Sequence, residues 1–420
     1  MIKAITGTKD ILPDEIQYWN HLTNIVLAHM KNFNYKEIRT PIFEQTDLFA
    51  RGIGDSTDIV SKEMYSFTDR SENNITLKPE MTASVVRAYI EHSLGKQSGL
   101  NKLFYISSMF RQERPQAGRL RQFHQLGIEA LGSHNPTLDA EVIQVAFSIL
   151  TNLGLKDIAV DINSLGILDE RNKFAEALKE FLSSKKNKLS DDSKNRLESN
   201  VLRILDSKDK HDQELLIGAP SLMDFLGEES LENYEKVKEL LTIVKIPYRE
   251  NHRLVRGLDY YTHTTFEILS SKVGSQSALV GGGRYNLLIE QLGGTSTPAV
   301  GFAAGIERIL LACKAEEAFI PSKEEIDIYL IRLEEKLESK IYEFASFFRG
   351  NNIKAEFDYL FRSVKAQMRE ANRINAKFVL FVCGEEYEKG EVQLKNMVTS
   401  EQQVIRLDEL NSILNIVAKK

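Results

Sequence analysis

Apolar and polar positions follow two periods along the chain, one helical and one extended. Apolar residues spaced three and four apart predict helices over residues 14–33, 82–92, 135–153 and 302–314. Two strand-like runs, 103–110 and 121–131, lie only about ten residues apart, which favours an antiparallel hairpin. Glycine-dense sequence of strand character covers residues 254–305. Helices and strands are therefore mixed through most of the chain.

The character of the sequence changes twice. Residues from about 170 to 240 are rich in Lys, Ser, Asn, Asp and Glu, which predicts a helical insertion with a solvated surface. The segment 315–325 holds Pro321 and four glutamates, as an interdomain linker would. Beyond it, short strands and helices alternate over residues 326–331, 337–348, 354–357, 363–372 and 377–382. We therefore predict one domain over 1–320, which includes the insertion, and a small α/β domain over 326–420.

Composition limits the class of protein. The chain has 420 residues, 42% of them hydrophobic and 27% charged, which excludes wholesale disorder, collagen and coiled-coil architectures. No apolar run approaches the roughly 18 residues that span a bilayer. Residues 1–13 lack the apolar core of a secretory signal. Cys313 and Cys383 lie far apart, so we expect no disulfide scaffold and a cytoplasmic location. Because the sequence has no membrane-spanning run, we expect no membrane partner.

A basic loop stands out against the net charge of −6. That net charge argues against a protein coated non-specifically by nucleic acid, but it allows a local site. Residues 111–121 contain four arginines, Arg111, Arg114, Arg119 and Arg121. The arginine fork fits phosphate and carboxylate groups, so this loop favours a polyanion site, with a solvated basic loop as the alternative. Glycine-rich phosphate loops are not the device, because the Gly-x-x-x-x-Gly-Lys-Ser/Thr pattern does not occur in the sequence.

The strand after this loop places unusual residues on one face. By alternation, Arg121, Phe123, Gln125, Gly127 and Glu129 point to the same side, and an apolar run points to the other. Burying unpaired charges is costly, so the polar face is either exposed to solvent or the floor of a polar cavity. The aromatic ring in mid-face, and a gap expected at the glycine, favour the cavity.

Two further segments carry weaker signals. Arg256 to Thr262 sets an arginine before a glycine turn and a tyrosine pair, which could line a pocket or only pack. Gly301 to Arg308 is typical of a helix that begins with small residues. Such a helix can pack closely on a sheet, and here it would present an arginine. A basic stripe, at the i, i+3, i+4 positions 362, 365, 369 and 373, could meet RNA or be a solvated helix face.

Taken together, these segments resemble the histidyl-tRNA synthetase family of class II aminoacyl-tRNA synthetases. Gly7 to Pro13 is similar to the N-terminal signature of that family, and Tyr35 to Gly52 to class motif 1, which implies a homodimer interface. Phe110 to Glu129 resembles motif 2, and Gly301 to Leu310 resembles motif 3. Two other segments are more specific to the histidine enzyme, namely 256–261 and 281–285.

The resemblance implies an α+β fold. Its parts would be a catalytic antiparallel sheet of six to seven strands flanked by helices, a helical insertion, and a C-terminal α/β anticodon-binding domain. It also implies a reaction in two steps. L-Histidine and ATP give histidyl-adenylate and pyrophosphate, and the histidyl group then passes to the 3′ end of the tRNA for histidine. Mg²⁺ would bridge the phosphates, and no protein side chain is assigned to a metal.

The resemblance also implies roles for single residues. Histidine would be bound by Glu80, Met81, Thr82, Arg111, Gln125, Glu129, Arg256, Tyr260 and Tyr261. ATP would be bound by Arg111, Arg119, Phe123 and Arg308. Arg111 at the α-phosphate and Arg256 opposite it would be catalytic, while Arg114 and Gln116 would touch the acceptor end of the tRNA. Selection of histidine would rest on polar partners for its imidazole ring.

Some positions depart from the family pattern, and two other functions share parts of it. Lys78 and Met81 stand where arginine and glycine are common, and Ala117 replaces a frequently basic residue. The main alternative is a synthetase-like regulatory paralogue of histidine biosynthesis without aminoacylation activity. Such paralogues typically lack the C-terminal domain and lose active-site residues, which this chain keeps. A synthetase for threonine or proline would lack the 256–261 segment.

Overall fold

The computed structural model describes residues 2–54, 57, 59–116, 118–256, 260–319, 325–382 and 384–417. Among the positions discussed above, Ala117, residues 257–259, Pro321 and Cys383 lie outside these ranges. The chain divides into two compact units, residues 1–320 and 321–420.

The first unit is built on a large twisted sheet. Among the described residues, eight strands pair in the order β1-β5-β6-β11-β10-β9-β7-β8, and three more form a small sheet, β2-β4-β3. Their bounds are β1 Lys36–Glu37, β2 Phe43–Gln45, β3 Tyr65–Thr68, β4 Asn74–Leu77, β5 Asn101–Phe110, β6 Gln122–Leu131, β7 Ile158–Ser164, β8 Tyr248–Glu250, β9 Thr262–Ser270, β10 Ala278–Arg284 and β11 Ala299–Gly305. The middle six strands are antiparallel, and the two edge strands add in parallel.

Helices cover both faces of this sheet. Their bounds are α1 Pro13–Asn32, α2 Thr46–Ile53, α3 Thr82–Glu91, α4 Leu94–Gln97, α5 Pro136–Asn152, α6 Leu168–Ser183, α7 Asp191–Ser199, α8 Lys210–Leu215, α9 Glu228–Ile243, α10 Leu288–Gln291 and α11 Ile306–Ala315. One core packs α1, α5, α9 and α11 against the sheet, and a second lies on the opposite face with α3 and α6. The predicted insertion is helical, since α6 to α9 all fall between β7 and β8.

Local sequence explains where the main helices begin. Pro13 occupies the first turn of α1, followed by acidic residues that favour the positive end of the helix dipole. Three residues at four-residue spacing, Leu22, Val26 and Met30, are buried beneath it. At α5 the side chain of Asn135 accepts a hydrogen bond from the backbone N–H of Thr137 at 2.9 Å, as an N-cap does.

The helix predicted over 302–314 is wrong in its first turn. Residues 299–305 form strand β11, paired with β6 on one side and β10 on the other, and the helix starts at Ile306. The small residues in this stretch serve strand contacts rather than helix packing. At Gly301, for example, a Cβ would come within 2.3 Å of the carbonyl oxygen of Ile128 on the adjacent strand.

The second unit is a small α/β domain. Its described strands pair in the order β13-β12-β14-β15-β16. Their bounds are β12 Ile326–Arg332, β13 Ala355–Phe357, β14 Ala376–Val382, β15 Glu391–Asn396 and β16 Gln402–Arg406. The helices are α12 Glu338–Gly350, α13 Val364–Arg373, α14 Gly384–Glu388 and α15 Leu410–Val417. Strand β12 is parallel to both β13 and β14, β15 is antiparallel to β14, and β16 is antiparallel to β15.

Candidate active site

The polar face of β6 forms the floor of a cavity. Phe123, Gln125 and Glu129 line a space of about 240 Å³. The alternate residues Leu126 and Ile128 are buried in the core on the other side of the sheet. The antiparallel hairpin with β5 is also present, with Gln125 opposite Ser107 and Phe123 opposite Met109. Of the two interpretations of this face, the structure therefore supports the cavity.

The gap expected at Gly127 is not open space. A Cβ at this position would lie 2.3 Å from the hydroxyl oxygen of Tyr105, which stands opposite it on β5. The glycine thus admits a neighbouring tyrosine rather than a ligand. That phenol is buried and lies 3.5 Å from Oε1 of Glu129, so it completes the surroundings of the carboxylate.

Glu129 is buried at one end of the cavity. Its carboxylate accepts hydrogen bonds from the hydroxyl of Thr82, at 2.8 Å, and from the hydroxyl of Tyr285. Burial raises the pKa of Glu129 to about 8, because the hydrogen bonds do not fully replace lost hydration. Near neutral pH this carboxyl is therefore largely protonated in the protein alone.

Glu80 and Gln125 add two more polar groups to the same end. The carboxylate of Glu80 accepts from the backbone N–H groups of Thr82 at 2.7 Å and Ala83 at 2.9 Å, which caps the start of α3. Burial raises the pKa of Glu80 above its usual range. The Oε1 atom of Gln125 is buried and has no hydrogen-bond partner among the described residues. It is an acceptor ready for a donor from a ligand.

Arginines converge at the other end of the cavity. Arg111 donates from Nε to the carbonyl oxygen of Pro79 at 2.9 Å, and its guanidinium lies 5.3 Å from the ring centre of Phe123. Arg308, in the first turn of α11, donates to the carbonyl oxygens of Gly118 at 3.0 Å and Ala278 at 3.1 Å. These backbone bonds fix the position of each guanidinium without neutralising its charge.

Arg119 joins this group through a shared carboxylate. Its Nη1 atom lies 3.2 Å from Oε2 of Glu113, whose other oxygen lies 3.8 Å from Nη1 of Arg111. Burial lowers the pKa of Arg308, and the positive charge of Arg119 lowers it further. Cations held this close repel one another, so the arrangement favours an anion that would bind between them.

Arg256 approaches from the opposite wall of the cavity. It forms an ion pair with Glu267 of β9, and its buried Nε atom has no partner among the described residues. The guanidinium lies flat against β10 at Gly281, where a Cβ would be 2.3 Å from Nη2. It also lies 5.5 Å from the ring centre of Tyr261. The missing side chain at this glycine is therefore what admits the arginine.

A second contact ties α11 to β6. Both carboxylate oxygens of Glu307 accept from the backbone N–H of His124 at 3.0 Å, and one lies 2.8 Å from Nδ1 of the same histidine. The imidazole packs edge-on against Trp19 with ring centres 4.9 Å apart. This link holds the start of the helix, and hence the neighbouring Arg308, in register with the cavity floor.

The structure brings most of the predicted site residues into this one cavity. Those that line it are Glu80, Thr82, Arg111, Arg119, Phe123, Gln125, Glu129, Arg256, Tyr260, Tyr261 and Arg308. The side chain of Met81 does not, because it is buried against Lys78, with its sulfur 3.4 Å from Nζ. Arg114 and Gln116 are exposed on the hairpin loop.

Sequence reasoning missed several residues that complete the site. Glu113 and Glu267 pair with its arginines, and Tyr105 and Tyr285 contact Glu129. Strand alternation could have placed Tyr105 on the cavity face of β5, but the pairing of one strand residue with another depends on register.

Within the described residues, no group of three or more His, Cys, Asp or Glu side chains could hold a metal ion. No helix in these ranges is long and apolar enough to cross a membrane.

Comparison with known proteins now places the chain in a family. A model of histidyl-tRNA synthetase matches residues 7–309, and a model of the anticodon binding domain matches residues 320–415. The chain belongs to the histidyl-tRNA synthetase family. It is 47% identical over 409 residues to the histidine–tRNA ligase of Halothermothrix orenii, covering 97% of this chain and 98% of that protein. The ligase of Listeria innocua is 48% identical over 402 residues, or 95% of each chain.

Solved structures agree with this placement. Apo histidyl-tRNA synthetase of S. aureus superimposes with a TM-score of 0.83 at 40% identity, covering 98% of this chain and 99% of that one. A Bacillus halodurans structure described as an ATP phosphoribosyltransferase regulatory subunit/histidyl-tRNA synthetase gives a TM-score of 0.67 at 21% identity. The second likeness bears on the fold alone.

Proposed function

We propose that the cavity on β6 is where this chain, a histidine–tRNA ligase, joins L-histidine to ATP. The observation that carries the proposal is the division of one cavity into two chemically different ends. Buried carboxyl and amide groups lie at one end and arginines lie at the other, where Arg111 is bonded to the carbonyl oxygen of Pro79, the residue next to Glu80. An amino acid and a nucleotide triphosphate would each find complementary groups, with the reacting atoms meeting at the middle.

The amino acid would lie at the carboxyl end. Glu80 and the unpartnered oxygen of Gln125 suit the α-ammonium group, with the hydroxyl of Thr82 beside them. Glu129 and Tyr261 would face the imidazole nitrogens, and Tyr260 would pack against the ring. An apolar competitor would leave these buried groups unpaired, a penalty that can reach about 10⁴-fold. Met81 would contribute through its backbone, since its side chain points elsewhere.

The nucleotide would lie at the arginine end. Arg119 and Arg308 would hold the outer phosphates, and Phe123 with Arg308 would flank the adenine. Attack of the histidine carboxylate on the α-phosphate forms a new oxygen–phosphorus bond and releases pyrophosphate. Negative charge grows on the phosphate oxygens in the transition state, so fixed cations on both sides lower the barrier. Arg111 and Arg256 approach from opposite walls and suit that role.

Mg²⁺ is expected to arrive with ATP rather than in a site of its own. A magnesium ion commonly keeps several waters and binds through one or two carboxylates plus substrate phosphates. Glu113 and Glu267 are the carboxylates beside the cavity arginines, and they fit that limited part. When bound, the ion would neutralise phosphate charge during displacement.

Further partners complete the proposal. Arg114 and Gln116 are exposed on the motif 2 loop, where they can meet the acceptor end of the tRNA for histidine. A homodimer is supported by exposed apolar side chains on the motif 1 side, since Ile42, Phe43 and Phe67 are each about half exposed. A cytoplasmic location, predicted from the cysteine content, belongs to the same proposal.

The test is amino-acid-dependent exchange of pyrophosphate into ATP, measured with a panel of amino acids. Histidine alone should support exchange by the unmodified protein. Arg256→Ala should lower the exchange rate by about 100-fold or more, as loss of a transition-state donor does, while weakening histidine binding far less. Arg406→Ala, an exposed arginine of the second unit, is the control and should change neither quantity. Folded protein without histidine-dependent exchange would refute the catalytic proposal and favour the regulatory alternative.

A further inference from the structure

A buried lysine two residues before Glu80 takes no part in the chemistry proposed above. Lys78 follows strand β4 and is fully buried. In the described part of the chain, its ammonium makes three hydrogen bonds, and all of them end on neutral atoms. These are the carbonyl oxygen of Thr40 at 3.5 Å, the hydroxyl of Thr40 at 3.3 Å and the sulfur of Met81 at 3.4 Å. Burying a cation among neutral groups is costly, which indicates a role beyond filling space.

Two carboxylates whose charges act on Lys78 have other partners. Glu44, on β2, forms an ion pair with Arg87 of α3 at 2.6 Å. Glu80 accepts from backbone N–H groups at the start of the same helix. Burial lowers the pKa of Lys78 to about 8, and the positive charge of Arg87 opposes the attraction of Glu44. The ammonium is therefore held by its fit among neutral groups rather than by an ion pair.

The backbone of Lys78 is bonded to two neighbouring elements. Its N–H donates to the carbonyl oxygen of Ile42 at 2.9 Å, and its carbonyl oxygen accepts from the N–H of Phe110 at 3.0 Å. Ile42 belongs to the motif 1 segment, as Thr40 does, and Phe110 is the last residue of β5. We call residues 78–82 the 78–82 segment. It starts from a point that the backbone and the ammonium of Lys78 both fix.

The 78–82 segment carries groups that face the amino acid. Glu80 and Thr82 line the cavity, and the carbonyl oxygen of Pro79 accepts from Nε of Arg111 at 2.9 Å. Met81 lies between the two cavity residues and points the other way, so that its sulfur meets the buried ammonium. The contact between these two side chains therefore anchors the middle of the segment from behind.

Lys78 and Met81 both depart from the family pattern, and the structure places them against each other. Met81 has a φ of −107° and a ψ of −26°, which an ordinary L-residue adopts, so its backbone does not require glycine. Its side chain is 1% exposed. An arginine at residue 78 would be longer and would meet the methionine sulfur. The lysine and the methionine thus fit as a pair, a shorter cation with a longer neighbour.

We propose that Lys78 is a positioning residue for histidine activation, which acts with Met81 to hold Glu80 and the carbonyl oxygen of Pro79 in place. The inference rests on the proposed function, because that function places histidine against Glu80. Without the ammonium, the 78–82 segment loses its tie to Thr40 and histidine binds more weakly. The arginines proposed for the outer phosphates lie on other elements and keep their positions.

The experiment measures pyrophosphate exchange and thermal unfolding of full-length Lys78→Met, which keeps an unbranched side chain of similar size without the charge. The KM for histidine should rise about tenfold, as loss of a charge-assisted hydrogen bond would cause, and the KM for ATP should rise much less. The unfolding temperature should stay the same or rise, because a buried cation without a counter-ion has been removed. A lower unfolding temperature with an unchanged KM for histidine would reveal a purely structural role and overturn the inference.

Lys102→Met is the matched control. Lys102 is 16% exposed, and its Nζ lies 2.7 Å from Oε1 of Glu141. Its loss should leave the KM for histidine within about twofold of the unmodified value, since a partly exposed ion pair contributes little. Absence of histidine-dependent exchange in the unmodified protein would refute the proposed function. An unchanged KM for histidine in Lys78→Met, with exchange intact, would refute this inference alone.

A double-mutant cycle tests the fit of the pair. Lys78→Arg overfills the space beside Met81, and Met81→Gly leaves that space empty, so each should raise the KM for histidine. In the double variant the guanidinium can take the space of the methionine side chain. The increase in KM should then be smaller than the product of the two single increases. Increases that multiply would show that the two side chains act independently, and would overturn the inference.

Discussion

Gly281→Ala offers a sharp test of how the site positions Arg256. An ideal Cβ at residue 281 would lie 2.3 Å from Nη2, 2.6 Å from Nη1 and 2.7 Å from Cζ of Arg256. Ordinary contacts between such atoms are about 3.5 Å, so the guanidinium must withdraw by roughly 1 Å. The clash involves only the end of a flexible side chain, so we expect the fold to survive and the site geometry to suffer.

A displacement of about 1 Å at a reacting centre can cost about 100-fold in rate. We therefore expect Gly281→Ala to lower histidine-dependent pyrophosphate exchange by about that factor, with an unchanged unfolding temperature. Gly282→Ala should behave in the opposite way. Its Cβ would meet the backbone oxygen of Gly301 at 2.4 Å, so strands β10 and β11 must separate and stability must fall. Gly99→Ala, with open space around the added carbon, should change neither property.

The new methyl group also faces the cavity, and it could act on ATP directly. The double variant Arg256→Ala, Gly281→Ala separates these effects. If the methyl acts through Arg256, the double variant should be no slower than Arg256→Ala alone. A further large loss in the double variant would point to steric exclusion of substrate. Exchange by Gly281→Ala within about threefold of the unmodified rate would refute the geometric argument.

Two other predictions concern buried charge. Because burial raises the folded-state pKa of Glu129 from 4.5 to about 8, the folded protein holds a proton that the unfolded chain releases, and stability falls as pH rises through this window. Glu129→Gln should therefore reduce the decline in unfolding temperature between pH 5 and pH 8, and an unchanged decline would contradict the assignment. Asp139→Ala leaves buried Arg284 without its carboxylate partner and should cost about 3–5 kcal/mol by denaturant unfolding. Asp169→Ala, which breaks an exposed pair, is its control and should have little effect.

Local sequence patterns predicted much of the fold. The β6 face followed from simple alternation, and the hairpin with β5 followed from the short loop between two apolar runs. In the second unit the predicted strands and helices through residue 382 all appear, because strands and helices there differ clearly in period and length. The final strands β15 and β16 were not predicted. β15 does alternate, with Val392 and Leu394 buried, but the alternation is short, and β16 has only Ile405 buried.

The parts of the site that sequence reasoning did not find depend on contacts between side chains in the folded chain. Nothing in the residues around Glu267 indicates that it faces Arg256, because Arg256 precedes β9 and strand alternation does not tell which residue of the strand it reaches. The motif 3 segment was misassigned at its start for the same reason. Its glycine and alanine residues suit close helix packing as well as a crowded central strand, and only the neighbours of β11 decide between them.

Missing side chains shape this cavity as much as the functional groups do. Gly127 admits the phenol of Tyr105, Gly281 admits the guanidinium of Arg256, and at Gly301 a Cβ would lie 2.0 Å from Oε2 of Glu129. Each glycine lies on a central strand, where a side chain would otherwise fill the space above the sheet. Buried charged groups can then lie against the backbone, where water is excluded and electrostatic interactions are strong. The position of Arg256, for which we propose a catalytic role, is thus set by a residue that contributes no functional group of its own.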